Sequence, residues 1–319
     1  MDKSTPVFVA GHRGLAGSAI CRELERRGFD HVIVRTHREL DLAQFEPTRE
    51  LLLRERPRVM FVAASKVGGI GANSAAPVDF LVDNLALQIS LLRAAHEADV
   101  ERVVFLGSSC IYPRDAAQPL AESALLSGPL EPTNRPYAIA KIAGVEMCWA
   151  YNRQFGRRWL AAMPTNLYGP GDNYDLATGH VLAALLRKAH EARGGRGGRL
   201  RVWGSGQARR EFLHTDDLAR ALVLLATLPE TLYATLVAPD NCPLVNVGSG
   251  EELTIRELAA LVARVVGFDG DITFDPSKPD GVPRKIVDST RIRALGWRPA
   301  IGLAAGIATT YDDFRSRHV

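Results

Sequence analysis

The sequence predicts an α/β fold built on a doubly wound parallel sheet, with a smaller C-terminal α/β domain for the substrate. Three observations predict it. Short apolar runs alternate with helical stretches through the first half of the chain. A glycine-rich turn joins the first apolar run to the first helical stretch. The alternation becomes less regular beyond about residue 171. Because such sheets bind ligands beyond the carboxyl ends of their strands, the loops at that edge are where we expect the site.

Composition narrows the class of protein. The chain has 319 residues, of which 46% are hydrophobic and 24% charged, and its net charge is +3. This small positive charge is compatible with binding of an anionic small ligand and too small to indicate nucleic-acid binding. Its cysteines, Cys21, Cys110, Cys148 and Cys242, lie far apart without CxxC spacing. This argues against a zinc site and a disulfide framework, and predicts a reduced, cytoplasmic protein.

Targeting signals are not expected. The first residues enter a strand-like run directly, without the basic-then-apolar layout of a signal peptide. The sequence also has no uninterrupted apolar run of the roughly 20 residues that a bilayer requires. We therefore expect no membrane partner.

The first strand, Val7–Ala10, leads into a glycine loop and a helical pattern from Ser18 to Arg27 that Gly28 closes. A pyrophosphate needs a tight turn, close backbone approach and a helix N-terminus. The GxxGxxG spacing differs from the GxGxxG fingerprint, and a structural glycine turn is the alternative, but the strand and helix lie where a Rossmann-like nucleotide site requires them. The predicted contacts are Gly11, His12, Arg13, Gly14, Leu15, Ala16 and Gly17.

The end of the second strand, His31–Val34, indicates the cofactor. An NAD site usually carries an acidic residue here for the ribose hydroxyl, whereas this chain continues with Arg35 and Arg38. Arginine accommodates a 2′-phosphate, and Arg13 could add another cation, so NADP(H) is favoured. The alternative is that these arginines face solvent.

The alternation then continues to the middle of the chain. We predict helices near Pro47–Arg56, Val78–Glu97 and Asn134–Arg153, and strands at Val59–Ala64, Val103–Leu106 and Trp159–Met163. The loops after these strands would face the cofactor; they include Leu106, Gly107, Ser108, Pro164, Thr165, Asn166 and Leu167.

Tyr137 and Lys141 lie four residues apart and so share one helix face. A lysine ammonium there is expected to lower the pKa of the phenol, which could then exchange a proton during hydride transfer. A lone YxxxK is weak evidence, since most are solvated helix faces. Ser108 could merely cap a turn, or could hydrogen-bond a substrate carbonyl beside Tyr137.

The second half of the chain is predicted to form a substrate domain from two separate segments, with a segment of the nucleotide domain between them. His180 opens a helical run over 181–188, residues 194–198 form a break, and a strand ends at Trp203; helices follow over 216–228 and from a capping box at Thr254 to Val266. We predict a nucleotide domain of 1–170 plus about 215–241, and a substrate domain of about 171–214 plus 242–319. Lys188, Arg210 and Lys285 could bind a diphosphate there, and Trp203 is either core or substrate contact.

Longer blocks give the sequence a family resemblance. They include GHRG at Gly11–Gly14, KVGGI at Lys66–Ile70, LGSSCIYP at Leu106–Pro113, EPTN at Glu131–Asn134, YAIAKIAG at Tyr137–Gly144, NLYGP at Asn166–Pro170, REFLH at Arg210–His214 and SKPDG at Ser277–Gly281. Together they resemble the extended short-chain dehydrogenase/reductase family of nucleotide-sugar enzymes. The resemblance implies an NADP(H) enzyme, forming a homodimer, that inverts C3 and C5 of GDP-4-keto-6-deoxy-D-mannose and reduces C4.

The resemblance also implies residue roles. Ser108 and Tyr137 bind the C4 oxygen, Lys141 holds the nicotinamide ribose, and Cys110 and His180 are the acid and base of the inversions. Taken alone, Cys110 would be a buried small residue and His180 a helix-start surface residue. The resemblance adds His37, Asp41, Leu42, Lys141 and His180 to the cofactor contacts, and Asp280 and Trp203 to the substrate contacts.

The chain departs from the family pattern at His37 and Lys188, each where an arginine is usual. Lysine lacks the bidentate geometry of arginine toward phosphate. The nearest rivals are a nucleotide-sugar 4-epimerase and a 4,6-dehydratase. A dehydratase would carry an acidic residue shortly after Ser108, where Ser109 and Cys110 stand. A non-catalytic NADP-sensing module would normally have lost Tyr137 or Lys141.

Overall fold

The computed structural model describes residues 1–193, 198–278 and 280–318. Its strands are β1 (Val7–Ala10), β2 (Val32–Ile33), β3 (Val59–Val62), β4 (Arg102–Leu106), β5 (Arg158–Pro164), β6 (Asn166–Tyr168), β7 (Arg199–Trp203), β8 (Arg209–His214), β9 (Leu244–Val247), β10 (Glu252–Thr254), β11 (Asp271–Asp275) and β12 (Arg284–Lys285). Its α-helices are α1 (Leu15–Arg26), α2 (Phe45–Glu55), α3 (Ile70–Ala75), α4 (Pro77–Glu97), α5 (Arg135–Phe155), α6 (Val181–Ala192), α7 (Thr215–Thr227), α8 (Glu230–Leu236), α9 (Ile255–Val266), α10 (Thr290–Ala294) and α11 (Leu303–His318).

A parallel sheet in the order β2-β1-β3-β4-β5-β9 forms the centre of the fold. The strand order reverses between β1 and β3, which is the switch point where doubly wound sheets open a crevice for a ligand. The glycine loop follows β1, so it lies at this crevice. The predicted doubly wound, Rossmann-like fold is confirmed.

Alternate side chains of the strands build two hydrophobic cores, one on each face of the sheet. In β1, Val7 and Val9 pack with α1 and α7, whereas Phe8 packs with α2 and α4 on the other face. All of these strand side chains are fully buried. A strand covered on both faces must be apolar at every position, which explains why the sheet strands read as continuous apolar runs.

The second part of the chain has its own core, formed by α6, α9 and α11 against β7 and the side chains of Tyr168 and Phe212. β8 pairs with β6, β10 and β12, and β7 pairs with β11. The predicted capping box is present: Glu257 N donates to Thr254 Oγ1 at 3.1 Å, and Thr254 N donates to the Glu257 carboxylate at 2.7 Å.

Several boundaries differ from the sequence prediction. α1 begins inside the glycine loop at Leu15, and β2 is confined to Val32–Ile33. The helix Ile70–Ala75 was not predicted, because a six-residue helix shows too little periodicity. The predicted break at 194–198 lies mostly outside the described residues, as does Pro279 of the SKPDG block.

The expected domain division needs one change. β9 pairs with β5 in the central sheet, although it lies beyond residue 241, where we expected the nucleotide domain to end. Ile292 and Trp297 also pack in the core that β9 shares with α7. The later chain thus contributes to the large sheet as well as to the smaller core.

The length and hydropathy of the helices show whether any of them could span a membrane. Among the described residues, none of the helices combines the length and apolar character that crossing a bilayer requires.

Candidate active site

The glycine loop has the tight packing that a dinucleotide cradle requires. Gly11 has a φ of +88°, and a Cβ there would lie 2.6 Å from Ala64 N. A Cβ on Gly17 would overlap the carbonyl of Gly11. Gly14 N donates to Gly11 O at 2.9 Å, which closes the turn, and α1 begins at the next residue, so a helix N-terminus that can face a pyrophosphate follows the loop directly. Leu15 and Ala16 form the first turn of that helix.

The structure separates the arginines that were predicted for the 2′-phosphate. Arg35 donates to Glu55 Oε1 at 2.7 Å and to Val34 O at 2.7 Å, so its guanidinium is already paired. Arg13 and Arg38 are exposed and have no carboxylate partner in the described chain. His37 is 84% exposed and lies 3.8 Å from Asp41, while Leu42 is buried. Arg13 and Arg38 are therefore the better phosphate ligands.

Glu39, which the sequence analysis did not single out, organises this loop. Its carboxylate accepts hydrogen bonds from Thr36 N at 2.7 Å and Thr36 Oγ1 at 2.8 Å. These bonds, followed by the charges of Arg35 and Arg13, lower the pKa of Glu39. The Glu39 carboxylate thus stabilises the turn at Thr36. Burial and the charge of Arg13 lower the pKa of nearby His12.

Lys141 is fixed on α5 against the end of β4. It is 2% exposed, and its Nζ donates to Leu106 O at 2.8 Å and lies 5.0 Å from the Phe105 ring centroid. Burial lowers its pKa to about 8. Gly107 follows Leu106 directly, so the ammonium lies at the carboxyl end of β4, where the cofactor crevice opens.

Tyr137 corrects one expectation. The ring centroid lies 5.9 Å from Lys141 Nζ and packs edge-on against Phe80. Burial raises the pKa of its hydroxyl, with Cys110 adding to the rise, while hydrogen bonds to Ser65 and Ser108 oppose it. The expected net lowering of this pKa is not found, because burial outweighs the influences that oppose it. Tyr137 therefore holds its proton at neutral pH.

Ser65 was missed as a site residue, although its loop was expected to face the cofactor. Its Oγ donates to Asn84 Oδ1 at 2.6 Å, and Lys66 N donates to the same oxygen at 2.9 Å. Asn84 is fully buried on α4. Asn84 is one of three buried polar residues of α4, with Gln88 and Ser90, and polar residues among the apolar positions of this helix are the signal that could have found this anchor.

Ser108 links the two predicted chemistries. Its Oγ accepts a hydrogen bond from Cys110 N at 3.5 Å and so caps the short 3-10 helix Ser109–Ile111. Ser108 therefore has the capping role that the sequence analysis gave as its alternative function. The same hydroxyl lies close enough to the Cys110 thiol and to Tyr137 to lower the pKa of each. The structure thus brings these three side chains together.

Cys110 and His180 differ in their exposure to water. Cys110 is 6% exposed; burial raises its pKa, and the charge of Lys285 is the largest opposing influence. His180 is exposed and directly precedes α6, and desolvation by the surrounding protein, followed by the charge of Lys285, lowers its pKa. Both groups therefore lie within electrostatic reach of Lys285.

The loop after β5 is held by its own side chains. Thr165 Oγ1 and Asn166 Nδ2 donate to Glu211 O at 3.2 and 2.7 Å, and Thr165 N donates to Val247 O at 3.1 Å. Pro164 ends β5, and Leu167 packs against the first core. These bonds, together with the pairing of β6 with β8, hold the segment after β5 in place at the edge of the crevice.

The predicted substrate residues lie on β7, β8, α6 and β12. Trp203 is 52% exposed, which excludes the core alternative. Lys188 Nζ and Lys278 Nζ lie 5.3 and 5.6 Å from its ring centroid. Arg210 pairs in register with Lys285 and donates to Asp280 O at 3.1 Å. Lys278 was not predicted as a ligand.

Comparisons with known proteins agree with this geometry. The model of the NAD dependent epimerase/dehydratase family matches residues 7–235. GDP-L-fucose synthase of Escherichia coli (strain K12) is 50% identical over 308 residues, covering 97% of this chain and 96% of the relative. Probable GDP-L-fucose synthase 1 of Oryza sativa subsp. japonica is 52% identical over 311 residues, covering 97% and 92%.

Solved structures show the same architecture. A GDP-6-OMe-4-keto-L-xylo-heptose reductase from C. jejuni superposes with a TM-score of 0.91 at 31% identity, covering 100% of this chain and 99% of the other. MlghC, a GDP-mannoheptose C4 reductase from Campylobacter jejuni with NADP bound, superposes with a TM-score of 0.88 at 33% identity, covering 99% of each. The chain therefore belongs to the NAD dependent epimerase/dehydratase family, and the resemblance read from its motifs is confirmed.

Proposed function

We propose that this chain converts GDP-4-keto-6-deoxy-D-mannose to GDP-L-fucose, by inversion at C3 and C5 followed by NADPH-dependent reduction at C4. The observation that carries the proposal is the convergence on Ser108, whose hydroxyl accepts from Cys110 N at 3.5 Å and lies close enough to Tyr137 and the Cys110 thiol to lower the pKa of each. A reductase tyrosine and an acid/base cysteine beside one oxygen-binding serine suit a sugar that must be inverted and reduced in one place. Curated relatives at 50–52% identity carry the name of this activity.

NADP(H) is the cofactor of this site. The close glycine cradle at Gly11 and Gly17 fits a pyrophosphate, Arg13 and Arg38 fit the 2′-phosphate, and Lys141 fits the nicotinamide ribose. When bound, the reduced nicotinamide supplies the hydride for C4.

The inversions follow from the acidity that a C4 ketone gives to the hydrogens on C3 and C5. A base on one face removes a proton, and the electron pair moves onto the C4 oxygen, where the hydroxyls of Ser108 and Tyr137 stabilise it. An acid on the opposite face then protonates the carbon. Cys110 and His180 fill these two roles in our proposal.

Reduction completes the sequence. Tyr137 donates its proton to the C4 oxygen as C4 becomes tetrahedral, and its raised pKa keeps that proton available at neutral pH. Lys188, Arg210 and Asp280 hold the nucleotide part of the substrate near Trp203 in this proposal.

The decisive experiment incubates the purified protein with NADPH and the keto-sugar nucleotide. We expect NADPH to be consumed and GDP-L-fucose to be identified by NMR. Unchanged NADPH and sugar nucleotide would exclude the proposal. A second incubation with a GDP-sugar that carries a hydroxyl at C4 tests the alternatives, since inversion at C4 would favour a 4-epimerase and loss of water would favour a 4,6-dehydratase.

Cofactor preference gives a second prediction. Arg38→Ala is expected to raise the KM for NADPH about tenfold or more and to leave that for NADH unchanged, because a charge-assisted hydrogen bond contributes about 1.5–3 kcal/mol. Arg35→Ala is the matched control, since its guanidinium is occupied by Glu55. Steady-state kinetics with both cofactors measure the change. A loss of NADPH preference in the Arg35 variant alone would reverse the assignment.

We also propose a homodimer that forms through α4 and α5. Along α4, Val78, Val82 and Ile89 are 68%, 53% and 49% exposed, and Ile139 on the adjoining α5 is 39% exposed. Their spacing places them on one side of the helix pair, which favours burial against a second copy. A solution mass of one chain would contradict this.

Two other expectations stay proposals. We propose the expected division, a nucleotide domain of 1–170 plus about 215–241 and a substrate domain in the remainder, with the nucleotide domain extended to 247 because β9 pairs with β5. A cytoplasmic location is supported by Cys21, Cys110, Cys148 and Cys242, which are free thiols as in a reducing compartment.

A further inference from the structure

The proposed substrate sets a proton balance that the acid/base pair must meet. In a manno-configured ring the hydrogens on C3 and C5 are both axial and stand on the same face. Both inversions therefore remove a proton from that face and add one to the opposite face. One base must accept two protons in each turnover, and one acid must supply two. Each group has to be reset between the inversions, while the sugar is still bound.

His180 and Cys110 meet this requirement differently. His180 has an accessible side chain and can exchange its proton with bulk water. Cys110 is 6% exposed, and the sugar ring would cover the small area that remains. Whichever of the two is the acid, Cys110 needs a separate route for protons.

A small cleft borders Cys110 on another side. Its volume is about 30 Å³, which is room for about one water molecule. Neither Tyr137 nor His180 is among the described residues that line it. Its polar lining residues are Ser109, Cys110, Tyr112, Arg114, Gln118, Glu131, Asn134, Arg284 and Lys285.

Two titratable side chains connect this cleft with solvent. Lys285 is half-buried and forms no ion pair within the described residues; its charge acts on Cys110, and the charges of Cys110 and Glu131 act on it in turn. Glu131 lies farther out, with 13% of its side chain exposed and its Oε2 3.6 Å from the half-exposed Arg114. The buried Oδ1 of Asn134 has no partner in the described chain and could accept a bond from a water in the cleft.

We propose that Lys285 and Glu131 form a proton route that resets Cys110 between the two inversions. If Cys110 is the acid, its thiolate takes a proton from the Lys285 ammonium, and the amine regains one from water through Glu131. If Cys110 is the base, the same transfers run outward. Each proton given to the sugar is thus balanced by one from water. The inference rests on the proposed function and adds positioning and relay residues to it.

Glu131 is the residue to test, because it lies away from the sugar and its backbone geometry survives substitution. The Glu131 carboxylate accepts from Thr133 N at 3.3 Å and Thr133 Oγ1 at 3.1 Å, and a glutamine can accept the same bonds. Glu131→Gln therefore removes the proton carrier and keeps the turn. Glu131→Ala removes both and leaves space for formate. Glu122→Gln, on the same loop with its carboxylate on Asn246 N at 2.9 Å, is the control.

We expect the parent enzyme and Glu122→Gln to form GDP-L-fucose, so the same experiment also tests the proposed function. Both Glu131 variants should form it about tenfold more slowly and release product inverted at one centre only, detected by NMR. Formate should restore the alanine variant but not the glutamine variant. Parent-like products from Glu131→Gln, or an alanine defect that formate does not relieve, would overturn the route. A parent enzyme that makes no GDP-L-fucose would instead defeat the proposed function.

Discussion

Replacing Tyr137 with phenylalanine is expected to lower the rate of C4 reduction by about 10²–10⁴-fold, the range that general acid catalysis contributes. The substitution removes only the hydroxyl that would protonate the C4 oxygen. The ring, with its edge-on packing against Phe80, stays in place. NADPH consumption by the purified variant measures the loss.

The inversions should survive this substitution in part, because Ser108 still binds the C4 oxygen. In D₂O, deuterium is expected at C3 and C5 of the recovered keto-sugar while NADPH stays largely unconsumed. Tyr151→Phe is the matched control, since it makes the same change on the same helix, against His96 and Trp159. Equal loss of reduction in both variants would point to damage to α5 rather than to a missing proton donor.

The parts of the site that were predictable from sequence are those that strand ends bring together. Gly11, Ser108 and Thr165 each follow a central strand, and parallel strands place their carboxyl ends at one edge. The order in which strands and helices alternate along the chain is enough to predict that convergence.

The parts that were not predictable depend on burial depth and on distant partners. The i, i+4 spacing placed Tyr137 and Lys141 on one face, but it could not show that the ammonium bonds Leu106 O or that burial governs the phenol pKa. Arg35 was assigned to the cofactor because its partner, Glu55, lies one helix further along the chain. No local pattern reveals such pairs.

The sequence analysis did not single out Glu131 or Lys278, and it placed Lys285 at the diphosphate rather than near Cys110. The reason is again that their surroundings depend on distant parts of the chain. Lys285 reaches Cys110 because the segment after β12 is tied to the loop before α5: Ile286 O accepts from Leu120 N at 2.8 Å, and Leu120 O accepts from Asp288 N at 2.8 Å. These bonds join backbone groups far apart in sequence. The identities of the side chains do not reveal these backbone hydrogen bonds.

Replacing Cys110 with serine is expected to lower inversion at C3 and C5 by about 10²–10⁴-fold, since a hydroxyl of nearly the same shape has far too high a pKa to exchange a carbon-bound proton. Reduction should continue, because Tyr137, Lys141 and Ser108 remain. The variant should therefore consume NADPH and release a sugar that is reduced at C4 but not inverted at C3 or C5, as NMR of the product would show.

Two comparisons make this result specific. Cys242→Ser changes a half-buried cysteine outside the site and should leave the product unchanged. Glu131→Gln should slow the second inversion and release part of the sugar inverted at one centre, whereas Cys110→Ser should block the first inversion, because a relay is needed only once Cys110 has acted. GDP-L-fucose formed at the parent rate by Cys110→Ser would remove the thiol from the mechanism, and the proton route that serves it would have no purpose.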